Sequence, residues 1–386
     1  MDYVNVSADS ASSTPINLGV FAVSGDIDFA QRIDKYNQLI SQSPSNVMAW
    51  SYLAYYLAKD GQEAKAIETY VKTLYINSYL PRIWYNHATL LEKLGCYCES
   101  VLSYQQALVI SPTYLKAMHG ESRNLYRTAR YSEALASYDR ALASPAANGG
   151  SAYSLWYGRG KTLMKLKRLE DAVTSLETAL ALNPQAAKIW ACLGQVLMQQ
   201  SQYVGAIAKF DKALRLMPDS ALFWTYKGFL LKRMERYEEA IGCFDEALAI
   251  EPSAHKTWHH RGLTLMKMQA YQQAYDSFEY GLKYQAYDHK SWLSMGWALE
   301  KMGDYSRAIE AYNKSLSIEP DQSFAFYRQA RCYAVIRDES SAVEHLRRAI
   351  ALHPDSYIAR SQADPLLRKI QTKALLPAAP VAVVAR

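Results

Sequence analysis

The sequence predicts an all-α solenoid of about nine helix-turn-helix repeats, finished by a C-terminal capping helix. Three observations carry this. Residues 187–218 read AKIWACLGQVLMQQSQYVGAIAKFDKALRLMP, and their frame returns 34 residues later and 34 residues earlier. Trp190, Gly194, Ala206, Phe210, Ala213 and Pro218 become Trp224, Gly228, Ala240, Phe244, Ala247 and Pro252; upstream they become Trp156, Gly160, Ala172, Leu176, Ala179 and Pro184. Within each copy the apolar residues recur at three- and four-residue intervals, the signature of one buried helix face. A unit of this size cannot bury its own faces, so neighbours must complete its core.

The totals agree. Half of the 386 residues are apolar, and 30 tyrosines with eight tryptophans speak for packed structure against disorder. Length alone suggests two or three domains, but a repeat array grows by stacking and needs no single core. Five cysteines, an odd number, make no disulfide framework. The N-terminus has no basic residue before Arg32 and no long apolar core, so no secretory signal is expected. These features predict the cytoplasm or another reducing soluble compartment. Apolar runs are too short for a transmembrane helix.

The elements follow in order. Residues 1–26 are rich in Ser, Asp and Asn, lack a helical period, and are expected to be a mobile arm. Their apolar island, Ile16–Val23, is expected to pack on the first repeat. Residues 27–46 read as a half repeat or N-terminal cap helix. Nine repeats fill 47–356, starting at 47, 81, 115, 153, 187, 221, 255, 289 and 323. Each first helix carries an anchor at its fourth position. Trp50, Trp84, Trp156, Trp190, Trp224, Trp258 and Trp292 are assigned to structure, with Met118 and Phe326 as substitutes. A small residue four places on lets the paired helices approach, and a large aromatic fills the next gap. The closing proline cannot continue a helix and turns the chain. Four extra residues fall in 144–152 (SPAANGGSA); they read as a longer loop, with a flexible point as the alternative. Residues 357–375 read as the solvating C-terminal helix, with Asp364-Pro365 able to open it, and 376–386 as a Pro/Ala tail.

The period, the W-x2-L-G-x2-Y/L opening, the A-x3-F of the second helix and the closing A and P resemble the tetratricopeptide repeat (TPR) family. The resemblance covers 47–356. It implies a right-handed superhelix whose first helices line a concave groove. It also implies a non-enzymatic scaffold, adaptor or assembly factor.

Periodicity places positions 2, 5, 6, 9, 12 and 13 of each first helix on that groove. Across nine repeats they hold seventeen basic residues and two acidic ones, Glu92 and Glu300, although the chain as a whole is only +6. Tyrosines share the face. Such a surface suits an acidic, extended segment of a partner protein, lysine and arginine taking carboxylates and the rings taking apolar side chains. The partner-binding candidates are Arg82, Asn86, Lys116, Arg123, Tyr126, Arg127, Tyr157, Lys161, Lys165, Lys188, Tyr226, Lys232, Arg233, His259 and His260. The carboxylate clamp of chaperone-binding TPR domains is incomplete: Asn86 and Lys116 fit it, whereas Ser51, Tyr55 and Gly120 do not. No catalytic motif and no cofactor motif is present. His255, His259 and His260 have i, i+4 spacing but lack further ligands, so no metal is assigned. Cys98 is expected to pack inside and Cys96 to be exposed. The second reading of the groove is single-stranded RNA or another nucleic acid, its phosphate backbone on the lysines and arginines and its bases stacked on the rings.

Overall fold

A computed structural model describes residues 28–147 and 152–375. The N-terminal arm, the Pro/Ala tail and the middle of the insertion lie outside the described residues. The protein is an all-α repeat solenoid, and no strand occurs among the described residues. It forms two compact units, one ending at Asn124 and one beginning at Leu125.

The first unit opens with α1 (Phe29–Gln42), whose N-terminal amides are capped by the Asp28 carboxylate accepting from Gln31 N at 3.2 Å. Two helix pairs follow, α2 (Val47–Lys59) with α3 (Glu63–Ile76) and α4 (Pro81–Lys93) with α5 (Tyr97–Ile110), then most of α6 (Leu115–Arg127). The second unit holds the end of α6, then α7 (Tyr131–Ala143) and a single 3-10 turn at Pro145–Ala147. Six pairs come next: α8 (Ala152–Lys165) with α9 (Leu169–Leu182), α10 (Ala187–Gln199) with α11 (Tyr203–Leu216), α12 (Ala221–Arg233) with α13 (Tyr237–Ile250), α14 (His255–Lys267) with α15 (Tyr271–Tyr284), α16 (His289–Met302) with α17 (Tyr305–Ile318), and α18 (Ser323–Val335) with α19 (Glu339–Leu352). Each helix packs most heavily on its own partner.

The turn inside a pair is built the same way throughout. In the turn after α8, Arg168 N donates to Leu163 O and Lys167 N to Met164 O, the double bond of a Schellman cap. That cap needs a left-handed residue. Gly61, Gly95 and Gly303 supply it, but so do Ala129, Lys167, Ser201, Glu235, Gln269 and Arg337, all with φ near 60°.

The core departs from expectation in one respect. The fully buried aromatics are on the second helices: Tyr104, Phe210, Phe244, Phe278 and Tyr312. Phe210, Phe244, Phe278 and Tyr312 press on the glycine of their own first helix, and Tyr104 on Gly120 of the next. A Cβ on Gly194 would stand 2.8 Å from the Phe210 ring. The tryptophans are only half-buried. Their indole N–H groups donate to the carbonyl six residues upstream, Trp190 to Pro184 and Trp224 to Pro218 at 2.9 Å each. Trp50, Trp84, Trp258 and Trp292 do the same to Pro44, Ser78, Pro252 and Ala286. Their structural role is to pin the turn that leads into each repeat. Trp156 lies under the Arg159 guanidinium, 5.6 Å from its ring.

A second ladder runs between repeats of the second unit. Arg159 pairs with Asp139 and donates to Ser175; Arg261 pairs with Asp245 and donates to Ser277; Lys227 pairs with Asp211. The C-terminal region is two short helices, α20 (Pro354–Ala363) and α21 (Arg368–Leu375), where one was expected. Asp364 sits in the break, and its carboxylate turns back to accept from Arg331 and from Tyr327. Cys98 is exposed, as is Cys96, so the expectation that Cys98 packs inside is corrected.

Candidate functional site

The six positions assigned to the groove separate into two classes. Positions 2 and 13 form rims: Arg82, Lys116, Arg127, Lys165, Lys188 and Arg233 are exposed. Positions 5, 6, 9 and 12 form a floor in which Asn86, Tyr126, Tyr157, Lys161, Tyr226, Lys232, His259 and His260 are half-buried. The cause is helix stacking. Those floor positions face the next first helix as well as solvent, so their side chains are shared between repeats.

In the first unit Arg82 and Lys116 stand on the rim. Arg123 is different. Its guanidinium lies 2.7 Å from the Glu92 carboxylate, which also accepts from the buried Tyr104 hydroxyl. Glu92 has only a tenth of its side chain exposed, so Arg123 is the counter-ion that its burial requires. Arg123 is therefore already engaged, and a partner's carboxylate would have to share it with Glu92.

In the second unit Lys161 is the centre of the first floor patch. Its ammonium lies 4.7 Å from the Tyr126 ring centroid and 5.5 Å from that of Tyr157. Burial pushes the Tyr157 hydroxyl above its ordinary range, so it stays a neutral donor. No carboxylate among the described residues pairs with Lys161, Lys165 or Lys188. Further along, Tyr226 stacks on Phe210 at 5.4 Å, Lys232 lies 5.3 Å over Phe229, and Arg233 donates to the Tyr203 hydroxyl at 3.3 Å. Burial, together with repulsion from Arg233 and Lys267, holds the Lys232 ammonium below its ordinary range.

The histidines are corrected as well. The His260 ring meets Phe229 edge-on and stacks on Phe244, and its Nδ1 is buried with no hydrogen-bond partner. His259 Nδ1 is 3.0 Å from Ser291 Oγ. Burial first, with nearby lysines adding, pushes both down to about 4. They are neutral rings in the floor and offer no cation to an acidic segment. Among the described residues no three His, Cys, Asp or Glu side chains gather in a metal-sized cluster.

At the C-terminal end the face closes on itself. Glu300, with 7% of its side chain exposed, pairs with Arg328 at 3.1 Å and Arg331 at 3.3 Å and accepts from Tyr312. Asp364 takes the other side of Arg331. Sequence spacing puts Glu300, Arg328 and Arg331 on one face, but nothing in it signals that Asp364, 33 residues on, returns to the same place.

Four family models described as tetratricopeptide repeat match residues 119–176 and 157–221, 221–254, 289–322, and 324–356, together more than half of the chain. No curated protein matches the sequence. Solved structures do. YrrB, described as a TPR protein with an unusual peptide-binding site, is 22% identical over 49% of this chain and 98% of its own, with a TM-score of 0.44. The pilF protein of Pseudomonas aeruginosa is 22% identical over 58% of this chain and 98% of its own, with a TM-score of 0.49. A tetratricopeptide repeat protein of Parabacteroides merdae is 15% identical over 67% and 98%, also at 0.49. These are likenesses of fold. No helix among the described residues is long and apolar enough to cross a membrane.

Proposed function

The chain belongs to the tetratricopeptide repeat family, and from that premise we propose that it is a non-enzymatic protein-interaction scaffold or assembly factor that holds an acidic, extended segment of a partner on the face of its first helices. One contrast carries the proposal. The basic residues at the seventh position of the first helices, Arg159, Lys227 and Arg261, each meet an aspartate from the preceding repeat. The lysines on the groove face of the same unit, Lys161, Lys165, Lys188 and Lys267, meet none among the described residues. Apart from Arg328 and Arg331 at the C-terminal end, the chain neutralises one set of cations and leaves the other without carboxylates, Lys161 resting on two tyrosine rings; the second set is available to an outside anion.

The test is selection from a random peptide library on the full chain, followed by affinity measurement on Lys161→Glu/Lys165→Glu/Lys188→Glu at unchanged helicity. Enrichment of Asp and Glu, with binding weakened about a hundredfold or more in the triple variant and falling with salt, is expected. Selected peptides without acidic excess, or equal binding by the variant, would overturn the proposal. Displacement of the peptides by oligouridylate at equal concentration would favour the nucleic-acid reading instead.

A further inference from the structure

The sixth, ninth and thirteenth residues of each second helix share its outer face. From α7 to α19 those places hold small, polar or charged residues throughout; the ninth reads Asp139, Glu177, Asp211, Asp245 and Glu279 from α7 to α15. The first unit breaks this rule. Its α3 carries Val71 and Tyr75 at the ninth and thirteenth places, and α5 carries Leu102 and Val109 at the sixth and thirteenth. All four are exposed, Tyr75 at 93% and Val109 at 75%. Tyr79, in the turn after α3, is 80% exposed, and its backbone N–H donates to Asn77 Oδ1 at 2.9 Å, which holds the turn that presents it. The charges on the same face of α3 are answered within it, Lys72 pairing with Glu68 at 2.8 Å.

Apolar side chains gathered at places that the other repeats keep small or polar mark a surface that something covers. A second copy of the chain is a poor fit, because a stable interface takes about 20–30 residues a side and this face offers only a handful. A tethered segment needs far less area, since its effective concentration is of millimolar order. The same unit has such a segment ahead of α1. Residues 16–23 (INLGVFAV) are uncharged, and Gly19 with the β-branched Ile16, Val20 and Val23 disfavours a helix. In extended form Ile16, Leu18, Val20 and Ala22 fall on one side. Val23 precedes Phe29 by six residues, a reach of about 20 Å, and Ile16 precedes it by thirteen, about 45 Å. From α1 the outer face of α3 lies two helix spacings away through α2, and that of α5 two further through α4, at about 8–10 Å each.

We propose that residues 16–23 fold back as a strap across the outer faces of α3 and α5, seating their apolar side chains on Val71, Tyr75, Tyr79, Leu102 and Val109. The strap leaves the groove of the first helices untouched, so it stands or falls apart from the acidic-segment reading. It shields apolar surface that is otherwise open to association with other chains.

Acetylation of tyrosines by N-acetylimidazole on the full chain, read by peptide mass spectrometry, tests it. Tyr287 is the internal standard: it holds the turn place of Tyr79 in a later repeat and is 79% exposed. A strap seated about four-fifths of the time should slow Tyr75 and Tyr79 about fivefold relative to Tyr287, because the reagent reads the open population. Leu18→Asp/Val20→Asp should restore both to the rate of Tyr287 at unchanged helicity. Photo-crosslinks from benzoylphenylalanine in place of Leu18 should land in 71–79 or 102–109 of the same chain. Equal rates for the three tyrosines in wild type overturn the proposal, as do crosslinks that land elsewhere. Protection that survives the two arm substitutions, or that fades on dilution, overturns it too; fading on dilution would assign the face to another copy of the chain.

Discussion

Arg123 and Lys161 occupy the same position in successive repeats and have opposite fates. Arg123 holds a nearly buried glutamate at 2.7 Å, while Lys161 rests on two tyrosine rings and pairs with no carboxylate among the described residues. Sequence spacing places both on one face; which of them is engaged depends on the residue at position 12 of the preceding repeat, Glu92 for one and Tyr126 for the other. The histidines teach the same lesson. Spacing puts His260 on the face, but the rings of Phe229 and Phe244 from neighbouring helices close over it, and burial sets its charge. An unfolded chain holds this imidazole near 6.5, whereas the folded chain holds it near 4, so the unfolded state gains protons first as pH falls. The contribution to stability is therefore complete above about 6.5 and is lost as pH falls towards 4. Lys232, Lys256 and His259 are the charged or titratable groups that oppose its protonation. In thermal melts across that window, His260→Phe should fall less steeply than wild type. Parallel profiles would mean that the ring titrates normally.

At the scale of one helix pair, the turn is the part that sequence reading left blank. The Trp, Gly, Ala and Pro frame announces two helices and the direction of their packing, because each of those residue types has a steric reason to be there. Gly61, Gly95 and Gly303 hint at a left-handed residue in the turn, yet six other turns reach φ near 60° with side chains that resist it. The Schellman hydrogen bonds and the packed helices hold them there. Each such residue stores about 1–2 kcal/mol that glycine would release. Gln269→Gly and Lys167→Gly should each raise stability by about 0.5–1 kcal/mol in urea unfolding, after the entropy of the more flexible unfolded chain is subtracted. Gly303→Ala should lower it by a similar amount. If the two glycine variants were less stable than wild type, the side chains at those turns would have contacts that outweigh the backbone.

Along the whole chain, repeats are stabilised by their neighbours, so a defect at one end stays near that end. The C-terminal closure is the clearest case. The sequence announced a capping element after Pro354 and, in Asp364-Pro365, a place where one helix stops and another can start, because proline cannot continue a helix and keeps the residue before it extended; it did not announce the return of the Asp364 carboxylate to Arg331 and Tyr327. Asp364→Ala leaves Arg331 half-sheltered with one counter-ion fewer, a loss of about 2–4 kcal/mol in the terminal repeat. Hydrogen exchange should show protection falling in α18 to α21 and unchanged in α8 to α10. A uniform drop along the chain would mean that the second unit unfolds as one block. The indole bonds bear on the same question from another direction. Trp50, Trp84, Trp190, Trp224, Trp258 and Trp292 each tie themselves to the turn that introduces their own repeat. Six built-in lamps thus stand at intervals along the solenoid, each dimming or changing colour when its own section opens. A set of chains keeping one tryptophan apiece would let emitted light report the order in which the sections come apart.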